Sequence, residues 1–155
     1  MPQAASHLIV GFVNLFFAGI LAGTEFVVRY GVRAPLSSLE ERPQIELRKA
    51  LIYQMRVRVA AVFLLSAISA LVVIVVDGAG PGLAWRGAGI AAIAAWALAT
   101  FWGTVPINSA VLAWQPGAPP EHWRTLLKRW ERLDTVRTWA AAIAFASFLA
   151  AMAVA

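Results

Sequence analysis

The sequence predicts an all-α integral membrane protein, a bundle of four transmembrane helices. Three observations lead there. Hydrophobic residues make up 61% of the 155 positions and charged residues only 14%, far more apolar than a soluble chain of this size could hide in one core. The apolar residues gather in four long, nearly uncharged stretches. Twelve of the 13 lysines and arginines lie in two of the three segments that join those stretches.

The first stretch begins at Leu8 and reaches Thr24. It lacks a basic leading segment, and its apolar part is too long for a cleaved leader, so it is expected to remain. The second covers Val59 to Val76, the third runs from Gly87 toward Pro116, and the fourth from Thr138 to Ala155. About 20 apolar residues cross a hydrocarbon core of roughly 30 Å, so the spans are placed at 8–28, 57–76, 87–107 and 136–155, as one transmembrane domain.

Beyond the spans, the second and fourth helices are expected to continue into the basic segments. Pro43 suits a first helical turn, with Glu40 and Glu41 near the positive end of the helix dipole. Nothing interrupts the pattern from there to Val76. Pro119, Pro120 and Glu121 mark another start, followed by no glycine or proline to Ala155. Asp77-Gly78-Ala79-Gly80-Pro81-Gly82 reads as a tight turn. Pro106 removes a backbone donor from the third helix, predicting a kink or an end there.

The basic residues set the orientation. Arg29, Arg33, Arg42, Arg48, Lys49, Arg56 and Arg58 separate spans one and two; Arg124, Lys128, Arg129, Arg132 and Arg137 separate spans three and four; Arg86 alone separates two and three. The positive-inside rule puts the basic segments in the cytoplasm and both termini outside, as expected of a multi-pass protein of the cell's inner membrane. The net charge of +5 is read as an attraction to anionic headgroups, not to nucleic acid.

The chain has no cysteine, which excludes disulfides and thiolate chemistry. Its imidazoles are His7 and His122, and neither sits in a ligand-like spacing. No metal or other cofactor is expected.

The polar residues in and beside the spans converge at one depth. Glu25 ends the first span, Asn108 the third, and Arg56, Asp134 and Arg137 stand where the second and fourth begin. Asn14, Glu25 and Arg29 share a helical stripe, and the four-residue step from Glu25 to Arg29 allows them to pair. Trp123, Trp130, Asp134 and Arg137 share another. Ionisable groups at membrane depth are costly and face the bundle interior or a wet cavity. The sequence therefore predicts one connected network of Glu25, Asn108, Asp134 and Arg137 beneath an apolar cavity at the basic end. Each residue also has a structural reading: the arginines anchor helix ends in headgroups, the acids neutralise them, and the tryptophans form an interfacial belt.

Three segments resemble the anthrone oxygenase-like family of small four-helix membrane proteins: Gly19-Ile20-Leu21-Ala22-Gly23-Thr24-Glu25-Phe26, Val105-Pro106-Ile107-Asn108, and Trp123 with Arg129-Trp130-Glu131-Arg132-Leu133-Asp134-Thr135-Val136-Arg137. The resemblance covers most of the chain and carries over to Asn108, Trp123, Trp130 and Arg137. It implies oxidation of a planar lipophilic substrate without a dedicated cofactor. A base removes a proton from an acidic benzylic CH2, and the electron-rich anion reacts with dioxygen directly. On this reading Glu25 is the base, Asn108 and an arginine (Arg56 or Arg137) hold the oxyanion, and Trp123, Trp130 and Asp134 complete the substrate pocket. The alternative is a non-catalytic membrane subunit or scaffold, packing in a larger complex or as a homo-oligomer. A small transporter would need polar groups at mid-membrane, where Asn14, Ser66 and Ser69 are the candidates.

Overall fold

The computed structural model of the chain describes residues 2–115 and 117–154, with the side chains of the first few residues left aside. Pro116, where the third apolar stretch was expected to end, and Ala155, the end of the fourth, lie outside the described residues.

The described chain is helical in four rods. The first is α1 (Pro2–Val27), which passes through a π-helical turn (Val28–Val32) into a short α2 (Arg33–Ser37). The second is α3 (Glu41–Asp77). The third is α4 (Leu83–Leu98), a second π-helical turn (Ala99–Thr104) and α5 (Val105–Ala113). The fourth is α6 (Trp123–Ala153). All four are long and apolar enough to cross a membrane, which marks a multi-pass membrane protein. The long second and fourth helices match the sequence expectation. At 37 and 31 residues, they measure about 55 and 46 Å at 1.5 Å per residue, well beyond a hydrocarbon core.

The rods run up and down. Each packs on its neighbours in sequence, and the first closes against the fourth. Alanine dominates the contact: Ala18, Ala70, Ala92, Ala140, Ala141 and Ala144 are buried around Trp96 and Phe148. Small residues let helices approach where the solvent is itself apolar and burial supplies little drive. Gly89 shows how closely, since a Cβ there would lie 2.5 Å from a Phe148 ring carbon. A second cluster, Ile107, Val111, Trp114, Trp123 and Leu127, closes the far end.

The outside of the bundle is as apolar as the inside. Phe12, Phe16, Leu64, Ile68, Val75, Ile143 and Leu149 are all exposed. In water this would be one large sticky surface; in a bilayer it is the lipid face.

Pro106 ends nothing. It sits in the first turn of α5, directly after the second π turn. The missing N–H and its crowding are absorbed by that wider turn, so the rod continues to Ala113. At the opposite end Gly78, with φ of +57°, terminates α3. There Asp77 accepts from His7 Nδ1 at 2.6 Å and pairs with Arg86 at 2.6 Å, which ties three rods together. At mid-membrane Ser69 donates to Asn14 Oδ1 at 3.2 Å and to the Ser66 carbonyl at 3.1 Å. These groups pack the first rod against the second.

Candidate functional site at the basic end of the bundle

One charged group of the first rod takes its partners from the third and fourth, and the second rod backs one of those partners. Glu25, near the end of α1, is 1% exposed. Arg137 Nη2 from α6 meets its Oε1 at 2.5 Å. Trp96 Nε1 from α4 donates to the same oxygen at 3.1 Å. Arg137 also lies over the Trp96 ring, 4.9 Å from its centre. Phe63 of α3 stacks on that indole at 4.8 Å and 19°. The other carboxylate oxygen, Oε2, is buried with no hydrogen-bond partner among the described residues.

Asp134 stands one turn before Arg137 on α6 and is fully buried. Both of its carboxylate oxygens lack a hydrogen-bond partner among the described residues. Arg137, Arg29, Arg33 and Arg48 are all within electrostatic reach of it. A bare buried carboxylate is expensive unless charge compensates it, and here the surrounding arginines offset part of that cost.

A shell of paired groups encloses these two acids. Arg29 donates to Thr135 Oγ1, and Arg33 pairs with Glu131 at 2.7 Å. Arg48, 4% exposed, lies 5.0 Å over the Trp130 ring. Trp130 Nε1 donates to Asn108 Oδ1 at 3.0 Å.

The π turns place this shell. Both lie at the level of the cluster, one just after Glu25 and one just before Asn108. Such a turn holds one more residue than an α turn and rotates everything beyond it. Gly103, inside the second, lets the Leu133 side chain to within 2.8 Å of where a Cβ would stand.

Several expectations change at this level. The four-residue spacing allows Arg29 to pair with Glu25, but the π turn begins between them and breaks that register, and Arg29 reaches α6 instead. Glu25 and Arg137 pair; Asp134 lies near them but makes no hydrogen bond or ion pair among the described residues, so it stands outside the expected connected network. Asn108 does not join them; its partner is Trp130. Trp123 is buried in the apolar cluster at the far end, with Arg124 stacked on it at 4.8 Å. Arg56 points away from the bundle, stacked 4.3 Å over the exposed Tyr53 ring. Neither Trp123 nor Arg56 touches Glu25 or Arg137.

Reading the sequence missed Trp96 and Arg48. Trp96 is the lone polar-capable residue in a run of alanine, isoleucine and leucine, and an indole N–H in such a run needs an acceptor. Arg48 looks in sequence like one more loop cation.

In comparisons with protein-family models, curated proteins and solved structures, nothing matches this chain.

Proposed function

We propose that the protein lies in the cell's inner membrane with both termini outside, so that α3 and α6 extend on the cytoplasmic side. We propose further that the Glu25 cluster binds, or acts on, a planar lipophilic molecule, as the resemblance to cofactor-independent anthrone oxygenases implies. The observation that carries this reading is the divided Glu25 carboxylate. Arg137 and Trp96 hold one oxygen and orient the group, which leaves Oε2 as the atom able to take a proton. The indole of Trp96 lies beside it, with the Phe63 ring stacked on it and Arg137 over it, so a planar substrate reaches Oε2 only by displacing one of these groups. Proton abstraction from an acidic CH2 there leaves a ring-delocalised anion, which Arg137 is placed to stabilise.

The closed Glu25–Arg137 pair favours a second reading, a non-catalytic membrane subunit or scaffold whose buried charges join the rods. Native mass spectrometry and thermal melts on one preparation separate the two. On the first reading the gently purified protein retains a lipophilic ligand and Glu25→Gln loses it with the melting temperature little changed. On the second, Glu25→Gln lowers the melting temperature and both forms retain the same molecules.

A further inference from the structure

Two open grooves lie on the seam between the first rod and α6, and Glu25 lines neither of them. One is polar, about 530 Å³, and is lined by Arg29, Tyr30, Arg33, Ala34, Ser37 and Glu131. The other is apolar, about 590 Å³, and is lined by Phe12, Phe16, Phe17 and Phe145 among others. At 100° per residue, Phe12, Phe16, Gly19, Gly23 and Phe26 fall on one stripe of α1, and that stripe ends at Tyr30 in the polar groove. Of the two glycines, Gly23 leaves the stretch between the grooves bare, since a Cβ there would meet nothing within 4 Å, while the Phe145 ring packs on Gly19, 3.3 Å from where its Cβ would stand.

The grooves are spaced like the parts of one molecule. Phe16 to Tyr30 and Phe145 to Glu131 each span 14 positions, or about 21 Å along a helix. One leaflet, half of a hydrocarbon core of roughly 30 Å plus its headgroup layer, has about that thickness.

The polar groove is also short of negative charge. Of the charged residues that line it, Arg29 and Arg33 face the single carboxylate of Glu131. The buried Arg29 Nε has no hydrogen-bond partner among the described residues. Tyr30 stands at the groove mouth, stacked on Phe26 at 4.7 Å, a position that suits a ring with one wet end.

We propose that this seam is a site for one anionic glycerophospholipid. Its phosphate sits against Arg29 and Arg33, and an acyl chain lies over Gly23 and along the Phe145 ring into the phenylalanine groove. A phosphate offers the acceptor oxygens that guanidinium groups take up, and the open surface at Gly23 gives the chain a path between the grooves.

The experiment uses the full chain purified in detergent and read by native mass spectrometry and thermal melting. Its probes are phosphatidylglycerol, phosphatidylcholine and inorganic phosphate. The wild type should retain one phosphatidylglycerol per chain in preference to phosphatidylcholine, and its melting temperature should rise with the former only. The double variant Arg29→Gln, Arg33→Gln should lose that preference, by about 5-fold for each arginine. Gly23→Leu, at an open surface position, should keep the fold and lose lipid retention. Glu25→Gln should leave lipid retention unchanged, which keeps this site separate from the function proposed for the cluster. The proposal is overturned if the two lipids are held equally, if inorganic phosphate raises the melting temperature as much as phosphatidylglycerol, or if Gly23→Leu retains lipid normally. A lipid-free dimer covering the seam would overturn it as well.

Discussion

Arg137 reaches across 112 positions of sequence to hold Glu25 at 2.5 Å, although Arg29 stands one helical turn from the same carboxylate. The choice follows from where the donors can go. Arg137 enters from α6 at the depth of Glu25 and lies flat on Trp96, so its charge is spread against an aromatic face and a carboxylate together. Arg29 is turned by the π segment toward Thr135. The pair that forms is the one buried on both sides, 10% exposed for the arginine side chain and 2% for the glutamate.

On the scaffold reading, removing one partner should therefore cost more than removing both. Glu25→Gln leaves Arg137 facing a neutral amide, and Arg137→Met leaves Glu25 with Trp96 alone. A buried charge stripped of its partner costs about 3–5 kcal/mol, or roughly 10 °C in melting temperature for a chain of this size. The double variant should recover part of that loss, because neither charge is then stranded. Melting curves for the four forms in one detergent make a double-mutant cycle. Strictly additive losses would show that the two groups are not coupled. If the scaffold reading proves wrong, the single Glu25→Gln loss should be the smaller one.

A packing prediction concerns Gly89. Its missing Cβ is the space that the Phe148 ring occupies, so Gly89→Ala should push α4 and α6 apart at the alanine-rich core. Overpacking of this kind costs about 1–3 kcal/mol. Gly87, two residues earlier, has nothing within 4 Å of an added Cβ, and Gly87→Ala is the control with no loss expected. Phe148→Leu should restore part of the stability of Gly89→Ala. If the two alanine variants melt together, the close approach of α4 and α6 is not what holds this region.

The orientation can be checked with single cysteines, since the chain contains none of its own. A cysteine at Ser38, in the first basic segment, should react only after the membrane is permeabilised. One at Gly80, in the turn beyond α3, should react with an impermeant reagent on intact cells. Labelling of both from the same face would contradict the four-span arrangement.

The four spans could be read without coordinates because a bilayer leaves few options. Backbone groups in hydrocarbon must pair within their own segment, so a long apolar stretch is helical. The lengths of α3 and α6 followed from the absence of any breaker after Pro43 and Pro120. That Glu25, Asp134 and Arg137 face inward followed from the cost of a charge in lipid. All of these rest on rules that act within one segment or between one segment and the bilayer.

The partnerships did not follow, because local rules rank only local candidates. Spacing on α1 favours Arg29 as the companion of Glu25, and no count along the chain can see that the helix widens at Val28. Nor can it see that Trp96, among alanines, arrives at the same depth as Arg137, or that Asn108 turns toward Trp130 and away from the carboxylates. The sequence by itself determined which segments are helical, that they are apolar on every side, and which charges must be buried. Tertiary structure alone decided which arginine meets which acid and left Asp134 with none. Rotation and depth of one helix against another are set by summed side-chain contacts along its whole length, and a buried ion pair forms only where that packing happens to bring two groups within reach.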